Sequence, residues 1–158
     1  MATRSRSQVK GRRGGHHFSM LVHAYFESQE YSLLSARAVK ALIDIYCQFR
    51  GSNNGDLCAT ISVMRARGWR SKDQLAKAIN ELVNAGWLMV TKQGGRHTPT
   101  LFAVTFLPVN ECGGKLDVRP TTAPLHSWKR SGMSAAPVIS LPRSTGHIAP
   151  PHGAKAAA

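Results

Sequence analysis

The stretch "GWRSKDQLAKAINELVNAGW", residues 68–87, predicts an amphipathic helix with a well-marked beginning and end. Ser71 is followed three residues later by Gln74, the spacing of a capping box, and Gly86 is typical of a helix end. The apolar side chains that recur at helical spacing are Leu75, Ala78, Ile79, Leu82 and Val83. The opposite side presents Asp73, Lys77, Asn80 and Asn84. The pattern predicts a helix over about 71–85 that is buried on one side and polar on the other.

Two further helices are predicted before this one. The segment "SARAVKALIDIYCQFRG", residues 35–51, begins at a capping Ser35 and stops at Gly51. Its predicted buried side chains are Val39, Leu42, Ile43, Tyr46 and Phe49. The segment "TISVMRARG", residues 60–68, predicts a shorter helix that begins at Thr60 or Ser62, after an extended stretch at 57–59.

Beyond the long helix, the β-rich runs 87–92 and 100–106 enclose "QGGRHTP" and predict a β-hairpin. Trp69 and Trp87 bracket the helix and are predicted to belong to the core. The order of helix, turn, short helix, tight turn, capped helix and hairpin is that of a winged helix-turn-helix. We therefore expect a mostly α fold with a β-hairpin (α+β).

The two ends of the chain differ in composition from its middle. The formal net charge is +13 over 158 residues, and residues 1–17 hold five cations and no acid. We expect a disordered basic arm over 1–17, a winged helix-turn-helix domain over 18–112, and a mostly disordered Pro-rich tail over 113–158. Such a charge favours a polyanion partner, nucleic acid before an anionic membrane. No apolar run approaches the roughly 20 residues needed to span a bilayer, so a cytoplasmic protein with no membrane partner is predicted.

Recognisable catalytic and metal-binding patterns are absent from the sequence. It has no GxSxG, Walker-type glycine loop, HExxH or usefully spaced pair of carboxylates. Cys47, Cys58 and Cys112 are widely spaced and odd in number, which argues against a disulfide scaffold or a zinc knuckle. We therefore predict a protein that is not an enzyme and that uses no cofactor and no metal.

A helix-turn-helix places its second helix in the major groove of DNA. The DNA contacts predicted from that helix and the turn before it are Arg70, Ser71, Lys72, Lys77 and Asn80. The contacts predicted from the preceding helix, the wing and the arm are Arg65, Arg67, Lys92, Arg96, Arg12 and Arg13. An ordinary solvated face is the alternative for the helix, and a solubilising tail is the alternative for the arm.

Six stretches carry a likeness to known proteins: "GSNNGDLCAT", "MRARGWRSKDQL", "ELVNAGW", "TKQGGR", "LFAVTF" and "CGGKLDVRPTTAP". Through them, from about 18 to 128, the chain resembles small winged helix-turn-helix proteins of bacteriophages, plasmids and integrated elements of proteobacteria. More loosely, it is similar to the N-terminal domains of phage replication-initiator proteins. The resemblance implies double-stranded DNA binding on a mobile element, by a transcriptional regulator or replication accessory factor associated with the bacterial nucleoid. "GGKLDV" and Trp128 suggest that the first part of the tail packs on the domain or receives a partner.

Two other functions stay open. A winged helix can also serve as a protein interaction module, with a charge-driven, non-specific affinity for nucleic acid. Residues 18–31 are compatible with an added helix for a homodimer or another protein partner, although "FSMLVHAYF", residues 18–26, fits a core strand or helix equally well. A single-strand or RNA binder ranks last, because the aromatic residues are predicted to be buried.

Overall fold

The computed structural model describes residues 18–130, so the predictions for 1–17, with Arg12 and Arg13, and for 131–158 lie outside the described residues. Within 18–130 the fold is mixed α+β, with helices packed against a three-stranded antiparallel sheet. The helices are α1 (His23–Phe26), α2 (Gln29–Ser32), α3 (Ala36–Tyr46), α4 (Ile61–Arg65) and α5 (Lys72–Asn84). The strands are β1 (Leu57–Cys58), β2 (Leu88–Lys92) and β3 (Leu101–Val104). Within this range no helix combines the length and the apolar character that crossing a bilayer requires.

The sheet has the strand order β1-β3-β2, so the first strand in the sequence lies beside the last. Leu57 pairs with Phe102, and Leu88 pairs with Val104, both in antiparallel register. The predicted hairpin is therefore formed by β2 and β3, and the predicted extended stretch becomes a third strand. Every residue of the central strand β3 is buried, which explains why its sequence is apolar on both faces.

Helix α3 is joined to α5 at its first residue. The Ser35 hydroxyl caps α3 by accepting a hydrogen bond from the backbone N–H of Ala38 at 3.2 Å. The Glu81 carboxylate, on α5, accepts from the backbone N–H of Ser35 at 2.6 Å and from its hydroxyl at 2.7 Å. A negative charge is favourable at a helix N-terminus. This contact therefore sets the position of α5 against α3.

The buried face of α3 differs from the predicted one. The helix ends at Tyr46, before Gly51, and its buried residues are Ala38, Ala41, Leu42, Ile45 and Tyr46. The predicted Val39 and Ile43 are only half-buried, and Phe49 lies beyond the helix, stacked on Tyr46. Alanine carries too weak a hydrophobic signal for periodicity to place it, yet two alanines occupy the centre of this face.

Asn54 joins the loop before β1 to the end of β3. Its side chain has no exposed surface. Its Nδ2 donates to the carbonyls of Val104 at 3.0 Å and Pro108 at 2.8 Å, and its Oδ1 accepts from the N–H of Val104 at 2.9 Å. Because buried polar groups need hydrogen-bond partners, this amide specifies how the loop and the strand meet. The sequence suggested only a turn at this position.

The chain continues as part of the packed unit beyond the predicted domain boundary at 112. The N–H of Asp117 donates to the carbonyl of Thr91, and the N–H of His126 donates to that of Thr105, both at 2.8 Å. These bonds attach the segment to β2 and to the end of β3. The Pro-rich composition predicted disorder, but it does not prevent these backbone hydrogen bonds to the sheet.

The end of this segment closes over the start of β2. Trp128 is buried and stacks on Trp87, with ring centroids 4.8 Å apart and planes 13° from parallel. Gly86 has φ +76°, and a Cβ atom there would lie 2.7 Å from the backbone carbon of Ser127. Glycine therefore both ends α5 and leaves room for residues 127–128.

Candidate nucleic-acid interface

Helix α5 has the two-sided character that its sequence predicts. The Ser71 hydroxyl accepts a hydrogen bond from the N–H of Gln74 at 3.3 Å, which forms one half of the predicted capping box. Leu75, Ala78, Ile79 and Leu82 are buried, and Val83 is half-buried. The exposed residues on the other side are Asp73, Lys77, Asn80 and Asn84. The helix therefore offers a continuous polar face to solvent.

The turn between α4 and α5 is held by Asp44 of α3. The indole N–H of Trp69 donates to Asp44 Oδ2 at 2.8 Å, and Lys40 Nζ lies 2.5 Å from the same oxygen. Lys40 also donates to the backbone carbonyl of Arg67 at 2.9 Å. Trp69 is buried, as predicted. The turn that directs α5 is therefore anchored to α3 by a charge-assisted hydrogen bond.

Arg67 differs in its surroundings from the other predicted contacts. Its side chain is 33% exposed, and Nη1 lies 3.9 Å from Oδ1 of Asp44. By contrast, Arg65, Arg70, Lys72 and Lys77 are exposed and form no ion pair with another residue of 18–130. The structure thus places Arg67 with the turn that positions α5, and the other four cations on open surface.

A cleft of about 320 Å³ lies between the first half of α5 and β3. Its walls are mainly apolar, with Leu75 and Ile79 from α5 and Phe102 from β3, and both Lys72 and Thr60 line it. A neighbouring depression is lined by Thr60 together with the hairpin loop, including Arg96. The two depressions adjoin each other at Thr60, and Lys72 lines the first while Arg96 lines the second.

The hairpin loop, residues 93–100, is closed by local hydrogen bonds. Gly94 N–H donates to the hydroxyl of Thr100 at 3.2 Å, and Gly95 N–H donates to the carbonyl of Thr98 at 2.9 Å. A Cβ atom on Gly94 would lie 2.5 Å from the backbone nitrogen of Thr100, so the loop can close this tightly only with glycine there. Arg96 at the tip is exposed, whereas Lys92, at the end of β2, is half-buried. Of the two predicted wing cations, Arg96 is the more accessible.

Three acids position the surroundings of α5, and sequence reasoning assigned a role to none of them. Asp44 binds Trp69, Glu81 binds Ser35, and Asp117 Oδ2 accepts from the backbone N–H of Gln93 at 3.0 Å. These pairs are 25, 46 and 24 residues apart in the chain, so no local spacing could reveal them.

Within residues 18–130 no three His, Cys, Asp or Glu side chains are grouped so as to hold a metal ion. Cys47, Cys58 and Cys112 are free thiols. Comparisons of the chain with protein-family models, curated proteins and solved structures find no match. The functional argument therefore rests on the geometry and the charge of this surface.

Proposed function

We propose that the chain is a winged helix-turn-helix protein that binds double-stranded DNA, with α5 in the major groove and loop 93–100 as the wing. The element order α3-β1-α4-α5-β2-β3 and the strand order β1-β3-β2 support this fold. The observation that carries the proposal is the exposed polar face of α5, on which Lys77 forms no ion pair with another residue of 18–130, beside two adjoining depressions lined by Lys72 and Arg96 respectively. A polyanion with a groove wide enough for a helix fits this arrangement.

Each predicted contact receives a role in this proposal. Asn80 forms a bidentate contact to adenine, and Lys77 contacts a phosphate or a guanine. Ser71 and the backbone N–H groups at the start of α5 receive a phosphate. Phosphates on either side of the helix, and the adjacent minor groove, are the targets assigned to Arg65, Arg67, Arg70, Lys72, Lys92, Arg96, Arg12 and Arg13.

We propose the biological setting from the sequence resemblance. It is that of a transcriptional regulator or replication accessory factor of a phage or mobile element, acting at the nucleoid in the bacterial cytoplasm. A protein of this kind needs no cofactor for DNA recognition, and the proposal assigns it no enzymatic step.

Selection from random duplexes, followed by titration of the selected site at several salt concentrations, tests DNA recognition. Asn80→Ala should reduce discrimination at one base pair by about 1–3 kcal/mol. Lys77→Ala should weaken binding to the selected site and to random duplex alike, and lower the salt slope by about 1 if Lys77 contacts a phosphate. Arg50→Ala is the matched control, because Arg50 is an exposed cation that lines a depression with Phe18 and Cys47 and with no residue of α5 or loop 93–100. Unchanged site preference in Asn80→Ala would contradict the role of α5 as the reading helix.

A second function is favoured by the apolar surface of the N-terminal segment. Phe18 is 88% exposed, Met20 71% and Leu33 77%, and Leu21 and Val22 are also exposed. Several large apolar side chains exposed within one segment are typical of a surface that contacts protein. If this module binds protein, Leu33→Glu should alter the oligomeric state in sedimentation experiments. Under that alternative, the full chain should shift duplexes at low salt without preference for any sequence, and this binding should be lost as the salt concentration rises.

A further inference from the structure

The exposed face of α5, formed by Asp73, Lys77, Asn80 and Asn84, carries one negative and one positive charge. Helix α5 has two acids, and Glu81 is engaged by Ser35. Asp73 is exposed and forms no ion pair with another residue of 18–130. Lys77 is one turn further along the same face, yet the two side chains do not pair. The carboxylate is therefore left free on the face that the proposed complex turns toward DNA.

The position of Asp73 places it close to the bases in the proposed complex. It lies in the first turn of α5, four residues before Lys77 and seven before Asn80, and these separations put all three on one stripe. The N-terminal residues of a recognition helix contact base edges. An acid in the first turn of a helix also interacts favourably with the helix dipole. A test has to separate this effect on the stability of the helix from a contact with a base.

The chemistry of the major groove limits what a carboxylate can contact there. An ionised carboxylate only accepts hydrogen bonds, so it repels phosphates and the acceptor atoms of guanine and thymine. Adenine presents an amino donor next to the N7 acceptor. Cytosine presents its N4 amino group as a donor without an adjacent acceptor of its own. Among the four bases, cytosine is the best partner for an isolated aspartate.

We infer that Asp73 is a specificity-determining residue that accepts a hydrogen bond from the N4 amino group of a cytosine in the target duplex. This inference rests on the proposed function. It adds that the site contains a C·G pair beneath the first turn of α5, and that Asp73 weakens binding to random duplex. The same carboxylate thus increases the ratio of specific to non-specific affinity.

The test compares the duplexes selected by the full-length wild type, Asp73→Ala and Asp73→Asn. We expect Asp73→Ala to lose preference for cytosine at one position by about 5- to 150-fold while binding random duplex more tightly. Asp73→Asn should favour adenine at that position, because an amide both accepts from N6 and donates to N7. Glu111→Gln is the control, since it removes an equal charge from an exposed acid beyond β3 and should keep the wild-type motif.

The possible outcomes separate the inference from the proposed function. If both Asp73 variants keep the wild-type motif and bind every duplex more tightly by the same factor as Glu111→Gln, the carboxylate serves only the helix and the inference is overturned. If the wild type itself selects no motif, specific DNA recognition fails, and the role of Asp73 fails with it. Circular dichroism of each variant verifies that α5 is still formed.

Discussion

Replacing Asp44 with alanine should destabilise the turn that orients α5. The Asp44 carboxylate side chain is only 14% exposed and binds the indole N–H of Trp69 at 2.8 Å. Trp69 is buried, so the substitution leaves its N–H without an acceptor. Lys40 and Arg67 lose their anionic neighbour at the same time.

The magnitude follows from these two effects. An unsatisfied buried donor costs about 1–3 kcal/mol. The ion pair with Lys40, whose side chain is 49% exposed, contributes no more than about 0.2–1 kcal/mol after solvent screening. Asp44→Ala should therefore lower the free energy of unfolding by about 1–4 kcal/mol, most of it through Trp69.

Urea unfolding monitored by circular dichroism measures this change, and a double-mutant cycle with Trp69→Phe assigns it. Phenylalanine has no N–H, so Asp44→Ala should cost at least about 1 kcal/mol less in the Trp69→Phe background. Lys40→Met, which keeps the side-chain stem and removes the charge, should cost less than about 1 kcal/mol. A coupling energy below about 0.3 kcal/mol would show that the Asp44–Trp69 hydrogen bond does not hold the turn.

Two further substitutions address the packing of residues 113–130. Gly86→Ala should lower the free energy of unfolding by about 1–3 kcal/mol more than Gly68→Ala does. Both glycines have positive φ, but only at Gly86 would the added Cβ meet backbone atoms, those of Ser127. Equal unfolding free energies for the two variants in urea would count against close packing at Gly86. The pKa of His126 lies below its ordinary value of 6.5, because of burial and then of nearby Lys129. As the pH falls, His126 is therefore protonated in the unfolded chain before it is protonated in the folded protein. Its contribution to stability is fully present above about pH 6.5 and is lost as the pH falls through the pKa of the folded state. Between about pH 7 and pH 5, the midpoint of thermal unfolding should fall less in His126→Asn than in the wild type. Asparagine is chosen because it tolerates the φ of 48° at this position. An identical fall in the two proteins would exclude a contribution from His126.

The candidate interface could be predicted from sequence where its signals are local. Ser71, Gly86 and the apolar spacing between them predicted α5 and its polar face, and two β-rich runs predicted the hairpin. The contact of Arg67 with Asp44 could not be predicted, because Asp44 comes from a helix more than 20 residues earlier. The sequence resemblance suggested that the first part of the tail packs on the domain, but composition alone could not predict individual contacts such as Asp117 to Thr91.

The sequence alone determined the helices with caps, the hairpin and the excess of positive charge, because each depends on residues within a few positions of one another or on composition. Tertiary structure decided which strand lies beside β3, which acids are engaged, and which side chains of α5 remain free. These outcomes depend on elements that meet only when distant segments fold together. A free Asp73 and an engaged Glu81 carry the same charge on the same helix, and only packing against α3 makes them different.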